Sequence, residues 1–217
     1  MEWHEVDGIE WLEAGLPGAS VAFSTRSAGS VKESHAALAE ALGLDPSRIA
    51  TNQQVHGAEL SYGEVGLADT PEADGHVITA PSIAGLVYTA DCLPVAVAGP
   101  GGVAMLHCGW RGLSAGIVRR GVEAVGATHA AIGPGIGPCC YEVGDEVLAG
   151  FERLGGGLAS GRMLDLPEVA KRLLREAGVE EIESADLCTC CEETLFFSHR
   201  RNGDTGRQAG IAWIEEG

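Results

Sequence analysis

The chain has 217 residues, of which 45% are hydrophobic, and this is enough for one folded domain with a substantial core. Its 31 acidic residues against 14 basic ones give a formal net charge of −17, which disfavours binding to nucleic acid or to anionic membrane surfaces. The sequence has no apolar run long enough for a transmembrane helix and does not begin like a signal peptide. We therefore expect a single domain over residues 1–217 in a cytoplasmic protein.

The first half of the chain is predicted to be rich in strands. "SVAFSTRSAG" indicates a strand followed by a loop, and "KESHAALAEALGLDPSRI" indicates a helix that ends near Gly43 and Pro46. "IATNQQVHGAELSYG" alternates with the period of a strand. "HVITAPSIAGLVYTADCLPVAVAGPGGVAMLHCGW" predicts two or three buried strands, because its apolar runs are short, rich in Val and separated by Pro and Gly turns.

Helices are predicted mainly in the second half. "RGLSAGIVRRGVEAVG" predicts one helix, and "HAAIGPGIGPCCYEVGDEVLAGF" predicts a strand, a loop and a helix from near Val143. "LPEVAKRLLREAGV" is typical of an amphipathic helix, with Pro167 in its first turn and Gly178 beyond its end. "LFFSHRR" and "QAGIAWI" are interpreted as closing strands joined by the turn "NGDTG".

Three candidate metal ligands stand at or near the ends of apolar strands: His56, Cys92 and His107. Two imidazoles and a thiolate suit zinc, and three protein ligands leave a fourth position open for water or substrate. Such a site can lower the pKa of water far enough to generate hydroxide near neutral pH. The spacing matches no short zinc motif, and a single histidine on an apolar strand is also explained as a hydrogen-bonded core residue.

Two acids and two arginines complete the candidate site. Asp74 and Asp91 are candidates for the general acid or base, although Asp91 could instead cap a turn. Arg26 and Arg111 follow predicted strands beside glycine, serine or threonine, a setting that suits binding of phosphate or carboxylate. An ion pair with one of the many carboxylates explains either arginine equally well.

The odd number of cysteines, seven, argues against a secreted disulfide framework and for reduced thiols. We interpret Cys139 and Cys140, and the cluster Cys188, Cys190 and Cys191, as small packed thiols rather than as a second metal site. Cys108 is a possible nucleophile without an evident activating partner. The arginines near the C-terminus are interpreted as structural: Arg200, Arg201 and Arg207.

Six motifs taken together resemble the laccase-domain or polyphenol oxidase family, which includes peptidoglycan editing factors and purine nucleoside phosphorylases. The motifs are "NQQVHG", "ADGHVITAPS", "GLVYTADCLPVAV", "MLHCGWRGLSAGIV", "AIGPGIGPCCYEVGDEV" and "LFFSHRRNGDTGRQAGIAWI". They occur in this order over most of the chain, and the match is weaker before about Val55. The resemblance implies an α/β (α+β) layered sandwich, with mixed β-sheets inside and helices outside.

The resemblance also implies chemistry. The family binds a metal, usually taken to be zinc, through residues that correspond to His56, Cys92 and His107 in this sequence. Members of the family cleave purine nucleosides with phosphate and deaminate adenosine. The resemblance therefore implies that Arg26 and Arg111 hold phosphate and that Asp74 or Asp91 acts as acid or base. The expected partners are small molecules, a purine nucleoside and phosphate.

Two departures from the family pattern affect the substrate-facing rim. The segment that the family carries after "STR" is missing here, and "LDLPEVAKRLL" has no Asn. Three alternatives stay open: an amidase acting on peptidoglycan precursors, a copper-dependent phenol oxidase, and a metal-binding module without turnover, which the missing segment favours. We rank phenol oxidation last, because one mononuclear site cannot supply the several coppers that four-electron oxygen reduction uses.

Overall fold

Strands make up most of the regular structure in the computed structural model, which describes residues 1–62, 70–203 and 206–215. The strands are β1 (Glu2–Val6), β2 (Ile9–Leu16), β3 (Ala19–Ser24), β4 (Ile49–Ala50), β5 (Leu60–Tyr62), β6 (Gly75–Ile78), β7 (Ala84–Thr89), β8 (Leu93–Gly99), β9 (Gly102–Cys108), β10 (His129–Ile132), β11 (Ala159–Ser160), β12 (Met163–Leu164), β13 (Glu181–Ser184) and β14 (Gln208–Ile214). The helices are α1 (Ala36–Ala41), α2 (Trp110–Ala115), α3 (Ile117–Val125), α4 (Asp145–Ala149), α5 (Leu166–Glu176) and α6 (His199–Asn202).

Two mixed sheets of six strands each form the centre of the described structure. The first has the order β1-β2-β3-β14-β7-β4, and the second has the order β13-β10-β8-β9-β6-β5. Most neighbouring strands are antiparallel, whereas β4 pairs with β7, β5 with β6, and β10 with β13 in parallel. Strands β11 and β12 form a separate small ribbon.

The hydrophobic core lies in three layers. Apolar residues of β3, β9 and β14 pack together between the two sheets, and α1 covers the outer face of the first sheet. Helices α3 and α5 cover the outer face of the second sheet, where they bury the largest of the three clusters. The predicted layered α/β sandwich, with mixed sheets inside and helices outside, is confirmed.

Successive side chains of β9 point to opposite faces of its sheet, and this decides which of its last residues can reach a site between the sheets. Met105 packs between the sheets, whereas Leu106 and Cys108 pack toward the helices. Because side chains alternate along a strand, His107 lies on the same side as Met105, opposite to Cys108. The order of residues in this strand therefore separates a candidate ligand from a core thiol.

Several predicted elements are confirmed and several are wrong. The strand in "SVAFSTRSAG", the helix in "LPEVAKRLLREAGV" and the closing strand "QAGIAWI" are present as β3, α5 and β14. The stretch from His76 to Trp110 contains parts of four strands rather than two or three. The predicted middle helix is two helices, because Gly116 adopts a left-handed conformation with φ +89° and ends α2.

Two further predictions fail where side chains bind the backbone. The strand predicted from Ile49 is interrupted by a loop, because backbone N–H groups on either side of His56 bind the carboxylate of Asp74; residue 63 of that stretch lies outside the described residues. "LFFSHRR" is not a strand, because the Ser198 hydroxyl accepts a hydrogen bond from Arg201 N (3.2 Å) and caps α6. The turn predicted after α6 includes residues 204 and 205, which also lie outside the described residues.

None of the helices in the described ranges has the length and apolar character needed to cross a membrane.

Candidate metal centre and cavity

Two connections between strands and the end of a third strand bring the candidate ligands together. His56 lies in the loop between β4 and β5, Cys92 comes directly before β8, and His107 lies near the end of β9. Their ligand atoms all lie within 4.8 Å of one another. The imidazole rings of His56 and His107 are 4.9 Å apart between centroids and meet edge to face. The structure thus places two imidazoles and one thiol around a common point.

Asp74 holds both histidines in position. Its carboxylate is fully buried and accepts hydrogen bonds from the backbone N–H groups of Val55 (3.1 Å), His56 (2.9 Å) and Gly57 (2.6 Å). It also lies 2.8 Å from Nδ1 of His107. With Nδ1 donating to the carboxylate, Nε2 of His107 is left to bind a metal, which is the usual arrangement of a carboxylate behind a ligating histidine.

The electrostatic surroundings favour ionisation of the Cys92 thiol. Burial raises its pKa, but His107 and His56 lower it by more, to about 6. For His107, burial lowers the pKa, but Cys92 and Asp74 raise it by more, to about 9. A thiolate is the form of cysteine that binds metals. Metal binding at neutral pH would displace the proton of His107, because a ligating imidazole must be neutral at the bonded nitrogen.

A glycine lies at the edge of the candidate metal centre. A Cβ atom added to Gly109 would lie 2.9 Å from Sγ of Cys92 and 3.4 Å from Cδ2 of His56. Any side chain at this position would therefore press on two of the three ligands.

The three ligands line a cavity of about 490 Å³. This volume is in the range of small-molecule sites. Asp91 also lines it, together with four basic side chains, two tyrosines and several polar residues. The basic residues and tyrosines are Lys32, Arg111, Arg200, Arg207, Tyr88 and Tyr141. Although the whole chain is acidic, cations gather at this cavity.

Asp91 reaches the cavity through an unusual backbone conformation. Its φ is +99°, a region that costs a non-glycine residue about 1–3 kcal/mol. One carboxylate oxygen accepts a hydrogen bond from the Thr189 hydroxyl (2.7 Å) and the other accepts one from Arg200 N (2.7 Å). This conformation turns the chain, so the side chains of the adjacent residues Asp91 and Cys92 line the same cavity. On a regular strand they would point to opposite faces.

The structure separates the two arginines that the sequence suggested for phosphate. The Arg111 guanidinium lines the cavity and lies 4.6 Å from the centre of the Trp110 ring, with no carboxylate of the described residues at ion-pair distance. Arg26 does not line this cavity; it donates to the carbonyl of Glu193 (2.7 Å) and lies over Phe197. Asp74 also stays behind His107 rather than facing the cavity.

Some cavity residues were not foreseen from the sequence. Arg200 lines the cavity and also donates to the carbonyls of Cys140 and Glu142 (3.0 Å each). Arg201 matches its interpretation as structural, since its guanidinium binds carbonyls of Thr189, Cys190 and Phe196. Tyr141 stands 5.3 Å from the Arg200 guanidinium, and burial, followed by Cys92, raises its pKa to about 12. The run "SHRR" gave no signal as to which arginine faces the site.

Comparisons with known proteins give the family. The model of the family described as "Multi-copper polyphenol oxidoreductase laccase" matches residues 21–215. "Purine nucleoside phosphorylase YfiH" of Escherichia coli (strain K12) is 34% identical, with 80% of this chain and 77% of that protein covered. A purine nucleoside phosphorylase of Streptomyces coelicolor is 33% identical (98% and 93% covered), and one of Mycobacterium bovis is 37% identical (85% and 80% covered).

Solved structures agree with the same assignment. YlmD from Geobacillus stearothermophilus is 31% identical with a TM-score of 0.86, and 98% of each chain is covered. Neisseria meningitidis protein NMB0706 is 28% identical with a TM-score of 0.83, with 95% of this chain and 99% of that one covered. The likeness extends over nearly the whole chain.

Proposed function

The chain belongs to the multi-copper polyphenol oxidoreductase laccase family, and from this premise we propose that it is a zinc-dependent purine nucleoside phosphorylase that also deaminates adenosine. One observation carries the proposal: the His56, Cys92 and His107 ligand set lines the same cavity as Arg111 and further cations. A metal ion beside a cationic pocket suits a substrate pair made of a nucleoside and phosphate. The names of the relatives support this choice of substrate.

The ligand set fits zinc. Two imidazoles and one thiolate are zinc ligands, and three protein ligands leave one position for a substrate or water. Bound zinc would supply a Lewis acid to the cavity. Copper(I) and copper(II) also accept such ligands, so metal analysis of the isolated protein decides between them.

In phosphorolysis, a phosphate oxygen forms a bond to C1′ of the ribose while the bond from C1′ to the purine nitrogen breaks. The purine leaves with the electron pair and takes up a proton. Arg111 and Arg200 would hold the phosphate and stabilise its charge, since guanidinium groups bind phosphate through paired hydrogen bonds. Arg26 would have to leave Glu193 and Phe197 to join them.

Asp91 is the proposed acid or base. Each of its oxygens accepts one hydrogen bond from the protein and keeps a further lone pair for a substrate donor. It can therefore receive the proton of water during deamination, in which water adds to C6 of adenine and ammonia leaves. Asp74 fits a positioning role instead, because its hydrogen bonds all go to the loop of His56 and to His107.

Phenol oxidation is not proposed. Within the described ranges, one group of close ligands includes imidazoles. Its three ligand atoms suit a single metal ion. The several coppers that four-electron oxygen reduction uses would need further ligand sets of this kind.

Product analysis with and without phosphate tests the proposal. Zinc-loaded protein given adenosine and phosphate should release adenine and ribose 1-phosphate by phosphorolysis and inosine by deamination, with hypoxanthine arising from phosphorolysis of that inosine. Without phosphate, adenine should disappear and inosine should remain. Absence of all these products from protein that binds zinc stoichiometrically would refute the proposed activity.

A further inference from the structure

A second group of metal-ligating side chains lies outside the cavity. Cys139 and Cys140 lie in the loop between β10 and α4, and Cys188 and Cys191 lie in the segment after β13. The four sulfur atoms all lie within 4.8 Å of one another. Sγ of Cys191 is 3.4 Å from that of Cys139 and 3.5 Å from that of Cys140.

These distances suit a shared metal ion. A disulfide requires about 2.05 Å between sulfur atoms, which is far shorter. Tetrahedral zinc with bonds of about 2.3 Å to sulfur places its ligands about 3.8 Å apart. The observed sulfur separations lie around that value, so four thiolates could close around one zinc ion with small movements. We propose that Cys139, Cys140, Cys188 and Cys191 bind a structural zinc ion.

The exposure of the thiols argues against a packing role. Cys139 and Cys191 are exposed, and Cys140 and Cys188 are half-buried, whereas Cys108 is fully enclosed in the core. A thiol that only fills space is expected to lie inside. The interpretation of these cysteines as packed thiols missed two things: Cys188 and Cys191 have C-x-x-C spacing, and the fold supplies the other two ligands from a distant loop.

The backbone of both loops is already arranged around the sulfur atoms. Gly137 N donates to Sγ of Cys188 (3.3 Å), and a Cβ at Gly137 would lie 3.5 Å from Sγ of Cys139. A turn closes from Cys191 N to the carbonyl of Cys188 (3.1 Å), and Thr189 N binds the carbonyl of Gly135 (3.0 Å). Amide donors and tight turns of this kind are common around metal-bound cysteines because they orient and stabilise the thiolates.

The position of the cluster gives it a consequence for the cavity. The loop of Cys140 continues into Tyr141, and the segment of Cys188 continues into Thr189, which holds Asp91. A zinc ion with four protein ligands has no open position, so this ion would clamp the two segments together rather than take part in chemistry. It would stabilise the part of the cavity wall formed by Tyr141 and by Asp91, the residue that Thr189 holds.

Metal stoichiometry tests the site without an activity assay, and the zinc ion lost on removing Cys191 is counted independently of the ion at Cys92 on which the proposed function rests. Wild-type protein, purified with a reducing agent and dialysed against trace zinc, should contain two zinc ions per chain. Cys191→Ala should contain one, and Cys92→Ala should also contain one. Cys191→Ala combined with Cys92→Ala should contain none. Cys190→Ala removes a neighbouring thiol outside the set and should keep both ions.

Cobalt substitution gives an independent readout of the ligands. Cobalt bound at the four-cysteine site should show strong sulfur-to-cobalt charge-transfer absorption in Cys92→Ala, and this absorption should vanish in Cys92→Ala combined with Cys191→Ala. Because Cys191 is exposed, its substitution should leave the circular dichroism of the fold unchanged. Equal zinc content in wild type and Cys191→Ala, or a Cys139–Cys191 disulfide in protein isolated without oxygen, would overturn the proposal.

Discussion

Asp74 supports the geometry of the proposed metal centre, because it joins the loop of His56 to the ring of His107. Burial raises its pKa, but the hydrogen bonds from His107 and Gly57 lower it by more, so the pKa lies below its ordinary value. The carboxylate form therefore persists at neutral pH and accepts from four donors.

Asp74→Asn should weaken zinc binding by about 10–100-fold. The amide NH₂ group would replace one carboxylate oxygen, and it would then face another donor, either a backbone N–H group of the His56 loop or Nδ1–H of His107. Competition with a chelator measures the affinity, scaled to the folded fraction. Asp45→Asn, at an exposed turn, is the control and should bind zinc as wild type does. Unchanged affinity in Asp74→Asn would show that the carboxylate does not position the ligands.

Gly109→Ala tests how closely the backbone approaches the ligands. The Cβ would crowd Sγ of Cys92 at 2.9 Å, while φ of −78° is acceptable for alanine, so backbone strain does not contribute. We expect a loss of zinc affinity on the order of tenfold or more. Gly15→Ala, where a Cβ meets nothing within 4 Å, should have no effect. Isothermal titration with zinc compares the two, and equal affinities would contradict the crowding.

His76 should make the stability of the protein depend on pH. Burial lowers its pKa to about 4, despite the hydrogen bond to the carbonyl of Leu86. The unfolded chain binds the proton near pH 6.5, so stability is fully present above that pH and falls as the pH drops toward 4. The loss attributable to His76 is about 3 kcal/mol.

Urea unfolding from pH 7 to pH 4 measures this dependence. His76→Gln should lose less stability over this range than wild type, whatever its offset at pH 7, whereas His129→Gln should follow the wild-type curve. Parallel curves for wild type and His76→Gln would contradict a neutral buried imidazole.

The three candidate ligands could be predicted from the sequence more readily than the residues that support them. His56, Cys92 and His107 could be selected from residue type and from their places at strand ends. The role of Asp74 depends on the path of a loop 17 to 19 residues away in sequence, which no local pattern encodes. The same holds for Arg26 and Arg111, which look alike in sequence but face different surroundings.

At the scale of elements, Gly116 separates α2 from α3. The periodicity of the stretch is continuous, so it predicted one helix, and a single interior glycine is tolerated in many helices. The left-handed conformation of Gly116 changes the direction of the chain, with Gly116 N binding the carbonyls of Gly112 and Leu113.

Gly116→Ala should destabilise the protein by about 1–2 kcal/mol, because alanine is strained at φ +89° even though its Cβ would meet only Arg119 at 3.9 Å. Gly156→Ala, where a Cβ meets nothing within 4 Å, is the matched control and should change stability by much less. Chemical denaturation measures both. A destabilisation of equal size in the two variants would rule out the conformational explanation.

Whole-molecule organisation brings the site together from segments far apart in sequence. Residues of the first sheet, the second sheet and the segment around α6 meet at one cavity. Periodicity predicted the strands that build each sheet, but not which strand ends meet, because that depends on sheet order and on packing between the sheets. The resemblance to a family supplied that step.

His56, Cys92 and His107 are proposed to hold the metal of a phosphorolytic enzyme. The most direct test measures zinc content and phosphate-dependent release of adenine from adenosine in the same preparations of wild type, Cys92→Ala and Cys108→Ala. We predict that Cys92→Ala contains one zinc ion fewer than wild type and releases adenine at least about 100-fold more slowly. Cys108→Ala, which lacks the neighbouring core thiol, should match wild type in both. A Cys92→Ala variant that keeps its zinc, or keeps its activity without that ion, would show that these three residues do not hold a catalytic metal.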